Sequence, residues 1–314
     1  MTIDMGPIRS RSYSHDLLLH DNDQDLVAGT LAFVDQGLSS GGQVLVHGTK
    51  NRVAMMRDVL GEHPRLQYAL EEELFVSPSR TLFAYERQLA ESPEPVELWG
   101  TGTVPFGTDP AGHPGWARYE SMVNEVLARY AFHSLCTYDT RNLPARAIAA
   151  ARATHPSVIV GGERVSSPDY LSPAAFLEDP LAGVPRPAAP PTIAAIFSSL
   201  TELGRARALV ASCSEAASAV ARDTIEDLVI AVHEVLLNAL THGAPPVELT
   251  VWAEVTRVTC RIVDAGPGIH DTLAGFPPPD GGGPAGLWLA RQVCEDIVFS
   301  NRAGGGCRVM MATG

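Results

Sequence analysis

The chain has 314 residues, 45% hydrophobic and 19% charged, which is enough apolar material for two cored domains and excludes broad disorder. A formal net charge of −13 argues against a nonspecific nucleic-acid or anionic-membrane surface, so neither partner is expected. Five scattered cysteines without a CxxC pair, the lack of any apolar run of membrane-spanning length, and no apolar signal core in MTIDMGPIRSRSYSHD predict a cytoplasmic protein.

Residues 1–14 read as a loose lead-in. A buried-type strand is expected over Asp16–His20 (DLLLH), a helix over Asp23–Leu38, a strand over Gln43–Gly48 and a helix over Asn51–Leu60. A strand between Leu66 and Val76 and a helix over Ser79–Ala90 follow. Next come a strand over Val96–Gly102, a helix over Trp116–Tyr130 and a strand over Ser134–Asp139. Pro144–Ala153 reads as a helix with proline in its first turn, and SVIVGG as a final strand. Strand–helix alternation of this kind predicts an α/β fold, a mostly parallel sheet with helices on both faces.

His20, His47, Gly48, Trp99, Gly100, Asp139 and Arg141 fall at the ends of these strands. The carboxyl edge of an open parallel sheet is where ligands bind, which makes His20, His47, Trp99, Asp139 and Arg141 candidate ligand-sensing residues. A metal held by His20, His47 and Asp139 is one reading, although hydrogen-bonded loop-end histidines are the commoner outcome. HGTK (His47–Lys50) lacks the G-x-x-x-x-G-K-[ST] spacing of a phosphate loop, so Lys50, the only lysine, reads as a solvated helix start. Cys136, on a buried-type strand, reads as core.

His15 opening the first strand, TYDTRNLP (Thr137–Pro144) and His155-Pro156 before the last one give residues 13–172 their likeness to a family. The segment resembles the MEDS sensory domains, α/β modules distantly like RecA-type ATPases. The resemblance implies a domain that senses a small organic molecule and precedes a signalling output. PLAGVPRPAAPP (Pro180–Pro191) is proline-rich and without periodicity, as expected of a semi-rigid linker. The expected organisation is thus a sensory domain over 1–179, a linker over 180–191 and a second domain over 192–314.

After the linker, Thr192–Ala221 is expected to be helical, with Leu200, Leu203, Val210, Ala217 and Val220 near one face. The next helix contains EVLLNALTHG. Glu234 and Asn238, four apart, project from one face, and Thr241 and His242 continue it. Leu228, Val232, Val235, Leu236 and Ala239 form the opposite, buried stripe. Asp223 with Glu226 three later spells a capping box at the start. Val247–Trp252 and Val255–Asp264 read as a hairpin in which Val258, Cys260, Ile262 and Asp264 share the apolar parity. A carboxylate aimed at the core side needs donors, and Gly266 and Gly268 directly after it let a ligand approach the backbone. A Pro/Gly-rich segment (His270–Ala285), a helix over Gly286–Glu295 and strands over Ile297–Asn301 and Cys307–Ala312 close the chain.

E-x-x-x-N, D-x-G-x-G, a glycine-rich lid and GLWLARQ, in this order, resemble the GHKL (Bergerat-fold) ATP-binding domain, and most closely the anti-sigma-factor serine kinases. The resemblance implies an α/β sandwich with helices on one face of a mixed sheet, and ATP with Mg2+ as cofactors. It implies that Asn238 holds the metal against the phosphates, Glu234 is the general base, and Asp264 takes the adenine amino group. His242, Gly266, Gly268, Ile269, Gly286, Leu287 and Cys307 would complete the nucleotide site. The implied partners are a sigma factor or a separate STAS-type antagonist, with a homodimer as the assembly. Two departures stand out: Pro284-Ala285-Gly286-Leu287 replaces G-x-G-L, and Gly305-Gly306-Cys307 replaces G-G-T. They leave turnover open, and with it a second reading, a nucleotide-dependent binding module without catalysis. A sensor histidine kinase is the third; its conventional form requires an acceptor histidine on a helical hairpin, and Thr192–Arg222 contains none.

Overall fold

A computed structural model describes residues 12–91, 97–107, 114–179, 183, 187–269, 271, 274–275, 285–302 and 304–313. Half of the proline-rich connector and most of the expected lid, including His270, Gly283 and Pro284, lie outside these residues. The chain divides into two compact units at Phe176 and Leu177, with Ser77–Arg80 grouped with the second. The boundaries thus cut the first turn of the helix Pro78–Ala90 and the end of the helix Pro173–Glu178, which are described below with the first unit.

The first unit runs β1 (Tyr13–His20), α1 (Asp23–Ser40), β2 (Gln43–Gly48), α2 (Lys50–Leu60), β3 (Leu66–Leu70), α3 (Glu71–Leu74), α4 (Pro78–Ala90), β4 (Leu98–Gly102), α5 (Pro114–Val126), β5 (Phe132–Asp139), α6 (Ala145–Thr154), β6 (Ser157–Val160), β7 (Glu163–Ser166) and α7 (Pro173–Glu178). Its sheet has the order β3-β2-β4-β5-β1-β6-β7 and is parallel except for the β6–β7 pair. Local chemistry sets the helix ends. Asn22 caps α1 by accepting from the Asp25 N–H at 2.9 Å, and Gly41 ends it in the left-handed region at φ 91°. Thr49 caps α2, so Lys50 is the exposed first residue of a helix, as expected. Leu18, Phe33, Val34, Val46, Met56 and Leu135 form the core between the sheet and α1 and α2.

Three local readings need correction in this unit. The stretch Leu66–Val76 is a strand only to Leu70, because Glu71, Glu72 and Glu73 then favour a helical turn at its N-terminus. Pro144 is the N-cap of α6 and not a residue of its first turn. SVIVGG is the first half of a hairpin: Gly161 and Gly162 have φ 60° and 84°, which only glycine adopts readily, and they reverse the chain into β7.

The second unit runs β8 (Ile193–Phe197), α8 (Leu203–Ala211), α9 (Arg222–His242), β9 (Val247–Glu254), β10 (Arg257–Val263), α10 (Ala285–Val293), β11 (Asp296–Asn301) and β12 (Cys307–Thr313). Its sheet, β11-β12-β10-β9-β8, is antiparallel throughout. One face carries the expected stripe of α9, with Leu228, Val232, Val235, Leu236 and Ala239 packed on Leu249, Cys260, Ile262 and Met311. Each large side chain buried there contributes about 1.5–3 kcal/mol. The helix expected over Thr192–Ala221 is shorter. Ile193–Phe197 is an edge strand on β9, and Ser199 caps a 3-10 turn (Leu200–Glu202), so α8 begins only at Leu203. The capping box at Asp223 is also absent. The helix starts one residue earlier, its N-cap is Ala221 without a side-chain bond, and Glu226 pairs with Arg222 at 3.1 Å.

Candidate functional site

Asp264 leaves the end of β10 buried, with 7% of its surface exposed. Its Oδ1 accepts from the N–H of Gly266 at 2.8 Å and of Cys307 at 3.4 Å. Its backbone N–H donates to the Cys307 carbonyl at 3.0 Å. The donors that a core-facing carboxylate requires are therefore backbone groups of the D-x-G-x-G turn and of β12. Oδ2 has no protein partner among the described residues.

Asp264 lines one cleft together with Asn238, His242, Gly268, Ile269 and Cys307 from the expected site; Val235, Ala239 and Phe299 supply apolar wall. Helix α9 delivers Asn238 half-buried and His242 exposed. Gly266 lies just behind, where a Cβ would stand 2.6 Å from the Gly243 Cα, so the turn packs directly on the end of α9. Gly268 adopts φ 87°, and a side chain there would meet the Asn301 amide. Glu234, one turn before Asn238, sits beside the start of α10: a Cβ on Gly286 would lie 2.4 Å from Glu234 Oε2. Leu287 is buried in the core next to it. Cys307 is a buried thiol, its pKa pushed up to about 12 by burial and by the nearby Asp264 carboxylate.

Sequence reasoning missed Asn301 here. Its Oδ1 accepts from the Ile269 N–H and its Nδ2 donates to the Ile269 carbonyl, both at 2.8 Å, which clamps the segment after the glycines. Arg302 also donates to the Asp264 carbonyl at 3.2 Å. No motif spacing marked either residue.

In the first unit His20 and Asp139 end adjacent strands in register, and His47 lies near the end of β2, as expected. They do not form a metal site. Arg52 donates to His20 Nε2 at 3.1 Å, and it also bonds Thr103 and Thr137 at this edge. Asp139 is taken by Arg141, whose N–H groups approach at 2.7 and 2.9 Å and hold the carboxyl well below the usual carboxylate range. Burial drives His47 down to about 4 and, with Arg52, lowers His20, so both histidines are neutral near pH 7. Trp99 departs from expectation: it is the second residue of β4, in register with Val44 and His133 at the starts of their strands, and stacks on His133 at 4.1 Å. It belongs to the opposite edge of the sheet, and Gly100 to the middle.

A cavity of about 730 Å³ in this unit was not anticipated. Leu18, Phe33, Gln36, Val158, Arg152 and Arg164 are among its walls, between α1 and the β1–β6 strands. None of the five candidate sensing residues lines it. Cys136 is buried, as expected, yet its neighbours are His15 and Glu120, with the sulfur 3.5 Å and 3.6 Å from them.

Residues 14–156 match the family model of MEDS, the methanogen/methylotroph, DcmR sensory domain, and residues 196–313 match that of the histidine kinase-like ATPase domain. The chain joins a MEDS domain to a histidine kinase-like ATPase domain. In this two-domain protein the Asp264 cleft belongs to the GHKL-type ATPase fold and the cavity to the MEDS domain. Solved structures with some similarity include the RsbU and RsbW domains of Rv1364c from Mycobacterium tuberculosis, at 18% identity and TM-score 0.28, covering 39% of this chain and 32% of that one. The present chain thus spans about a third of that structure's length. The histidine kinase domain of a blue-light activated histidine kinase from Erythrobacter litoralis is 19% identical with TM-score 0.26, covering 54% of this chain and 80% of that one. No curated protein matches the sequence. Among the described residues no helix is long and apolar enough to cross a membrane.

Proposed function

We propose that this protein is a regulatory serine kinase of the anti-sigma-factor type, whose ATPase domain (192–314) is controlled through a linker (180–191) by a sensory domain (1–179). The observation that carries the reading is the convergence of Asn238, His242, Asp264, Gly268, Ile269 and Cys307 on one cleft whose buried carboxylate keeps an oxygen without a partner among the described residues. That donor set fits a nucleotide. A free carboxylate oxygen is an acceptor for an exocyclic amine, and the Gly266–Gly268 backbone admits a planar ring.

Bound Mg2+–ATP supplies the transferable phosphoryl group and neutralises its charge. The chain supplies the rest. Asp264 accepts from the adenine amino group. The free N–H groups at the start of α10, around Gly286 and Leu287, favour phosphate, and the Asn238 amide oxygen is a hard ligand of the kind magnesium takes beside water and phosphate. Glu234, next to that helix start, takes the proton of an attacking serine hydroxyl. The substrate is a separate STAS-type antagonist and the regulated partner a sigma factor, with the kinase a cytoplasmic homodimer that touches neither nucleic acid nor membrane. A small organic molecule in the 730 Å³ cavity is the input; its mixed wall of Phe33, Gln36 and arginines suits a polar ligand with an apolar body.

Phosphate transfer to candidate antagonists tests the reading. Glu234→Gln is expected to keep ATP binding and slow transfer by roughly 10²–10⁴. No transfer by a wild type that binds ATP favours the non-catalytic binding module, in which the Cys307 thiol stands where the resembling family has a hydroxyl, whereas equal transfer by wild type and variant removes Glu234 from the role of base.

A further inference from the structure

His15, Glu120, Cys136 and His155 approach one another inside the MEDS domain, from β1, α5, β5 and the end of α6, and all four are buried. Four ligand atoms converge: His15 Nε2 lies 2.9 Å from Glu120 Oε2, Cys136 Sγ 3.5 Å from His15 Nε2 and 3.6 Å from Glu120 Oε2, and His155 Nε2 3.7 Å from Glu120 Oε2. Ligands on a tetrahedral zinc at about 2.0–2.3 Å stand roughly 3.3–3.7 Å from one another. The contacts given above run from 2.9 to 3.7 Å, and all four atoms lie within 4.8 Å of one another, so small side-chain shifts bring them onto one ion.

The surroundings fix the chemistry of each ligand. The Asn124 amide spends its N–H groups on the carbonyls of Glu120, Ser121 and Thr154, so its Oδ1, 3.1 Å from His15 Nδ1, accepts from that ring nitrogen. His155 Nδ1 likewise donates to the Ala151 carbonyl at 2.7 Å. With Nδ1 of each ring donating outward, Nε2 is the nitrogen that faces the cluster and would offer its lone pair to a metal, as in metal-ligating histidines oriented by outer acceptors. His155 Nε2 is buried and has no hydrogen-bond partner among the described residues, an arrangement that costs free energy if nothing else binds there. Tyr138 donates to the other oxygen of Glu120 and holds the carboxylate in place.

We propose that these four side chains form a structural site for a borderline-soft divalent cation, with Zn2+ the best fit. A Cys/His₂/Glu set suits zinc over magnesium or calcium, which take oxygen ligands. One thiolate and one carboxylate balance the cation's charge, so the buried site is neutral. Four protein ligands leave no open position. The cation ties two strands to two helices, and Cys136 gives up its proton on binding.

The full-length, untagged protein is expected to carry one zinc per chain by elemental analysis, either as purified or after dialysis against zinc. Replacement by Co2+ is expected to give the intense visible bands of tetrahedral cobalt and a thiolate-to-cobalt charge-transfer band. Cys136→Ser removes the charge-transfer band, and Asn124→Ala weakens zinc binding by about 10–100-fold, the usual effect of losing an outer partner. Chelation lowers the melting temperature of the wild type. A folded wild type that takes up no zinc and melts unchanged in chelator would leave the cluster a buried histidine–carboxylate pair and overturn the assignment. So would a folded Cys136→Ser protein that retains the charge-transfer band.

Discussion

Asp264 engages Oδ1 with backbone donors, and the proposed adenine contact falls to Oδ2, so its loss is expected to have two separable costs. Asp264→Ala is expected to weaken ATP binding by about 1–3 kcal/mol, roughly five- to more than a hundredfold, through the missing adenine acceptor. Calorimetry with Mg2+ and ATP measures it. Wild-type binding absent into the millimolar range would remove the nucleotide from this cleft altogether. The same substitution strands the N–H groups of Gly266 and Cys307, so a lower melting temperature of the variant is also expected. His47 makes a different kind of statement. Burial lowers its pKa from the ordinary 6.5 to about 4, and its Nδ1 has no hydrogen-bond partner among the described residues. The unfolded chain takes up that proton as the pH falls through about 6.5, while the folded protein refuses it until about 4. Stability is therefore lost on acidification across this window, by on the order of 3 kcal/mol from this residue when the window is fully crossed. Urea unfolding at pH 7 and pH 4.5 reads the loss, and His47→Gln is expected to flatten it.

Elements were legible where periodicity was sustained and partners were near in sequence. The stripe of α9 and the parity of β10 placed Glu234, Asn238 and Asp264 before any coordinates, because a helix face and a strand face are fixed by spacing alone. Strand β8 was not legible: IAAIF is a short apolar run whose helical and extended readings differ only once β9 pairs with it. Strand β7 is exposed along its whole length and carries no apolar signal. The His15–Glu120–Cys136–His155 cluster could not be read because its members come from four segments and have no common spacing. Trp99 was misplaced because a strand's ends depend on its neighbours' register. The start of α9 offers a direct test of element energetics. Ala221 has φ −62° and ψ 147°, a geometry suited to a capping side chain that alanine lacks. Ala221→Ser is expected to stabilise the ATPase domain by about 0.5–1 kcal/mol, seen as a raised melting temperature with nucleotide affinity unchanged.

At the scale of the whole chain, sensing requires that the ligand of the MEDS domain bind two arrangements of the protein unequally; equal affinity shifts nothing. The two compact units each possess their own core, so the signal has to pass through how they are joined. The proline-rich Pro180–Pro191, read as a semi-rigid connector, leads directly into β8, the edge strand of the ATPase sheet. On the proposed reading, a shift of the connector would act on the sheet whose strand β10 ends at Asp264. Coupling of this kind is typically about 1–3 kcal/mol and is reciprocal, so ATP is expected to change the affinity for the sensed molecule by the same factor as that molecule changes the affinity for ATP. Titrating ATP with and without a small organic ligand that binds the cavity, and the reverse, measures both factors. A Gly/Ser segment of equal length in place of Pro180–Pro191 is expected to keep each affinity within error of its uncoupled value and to bring the mutual factor to one. Two affinities already independent in the native chain would mean the domains are only tethered, and control would then have to reach the kinase through a partner protein.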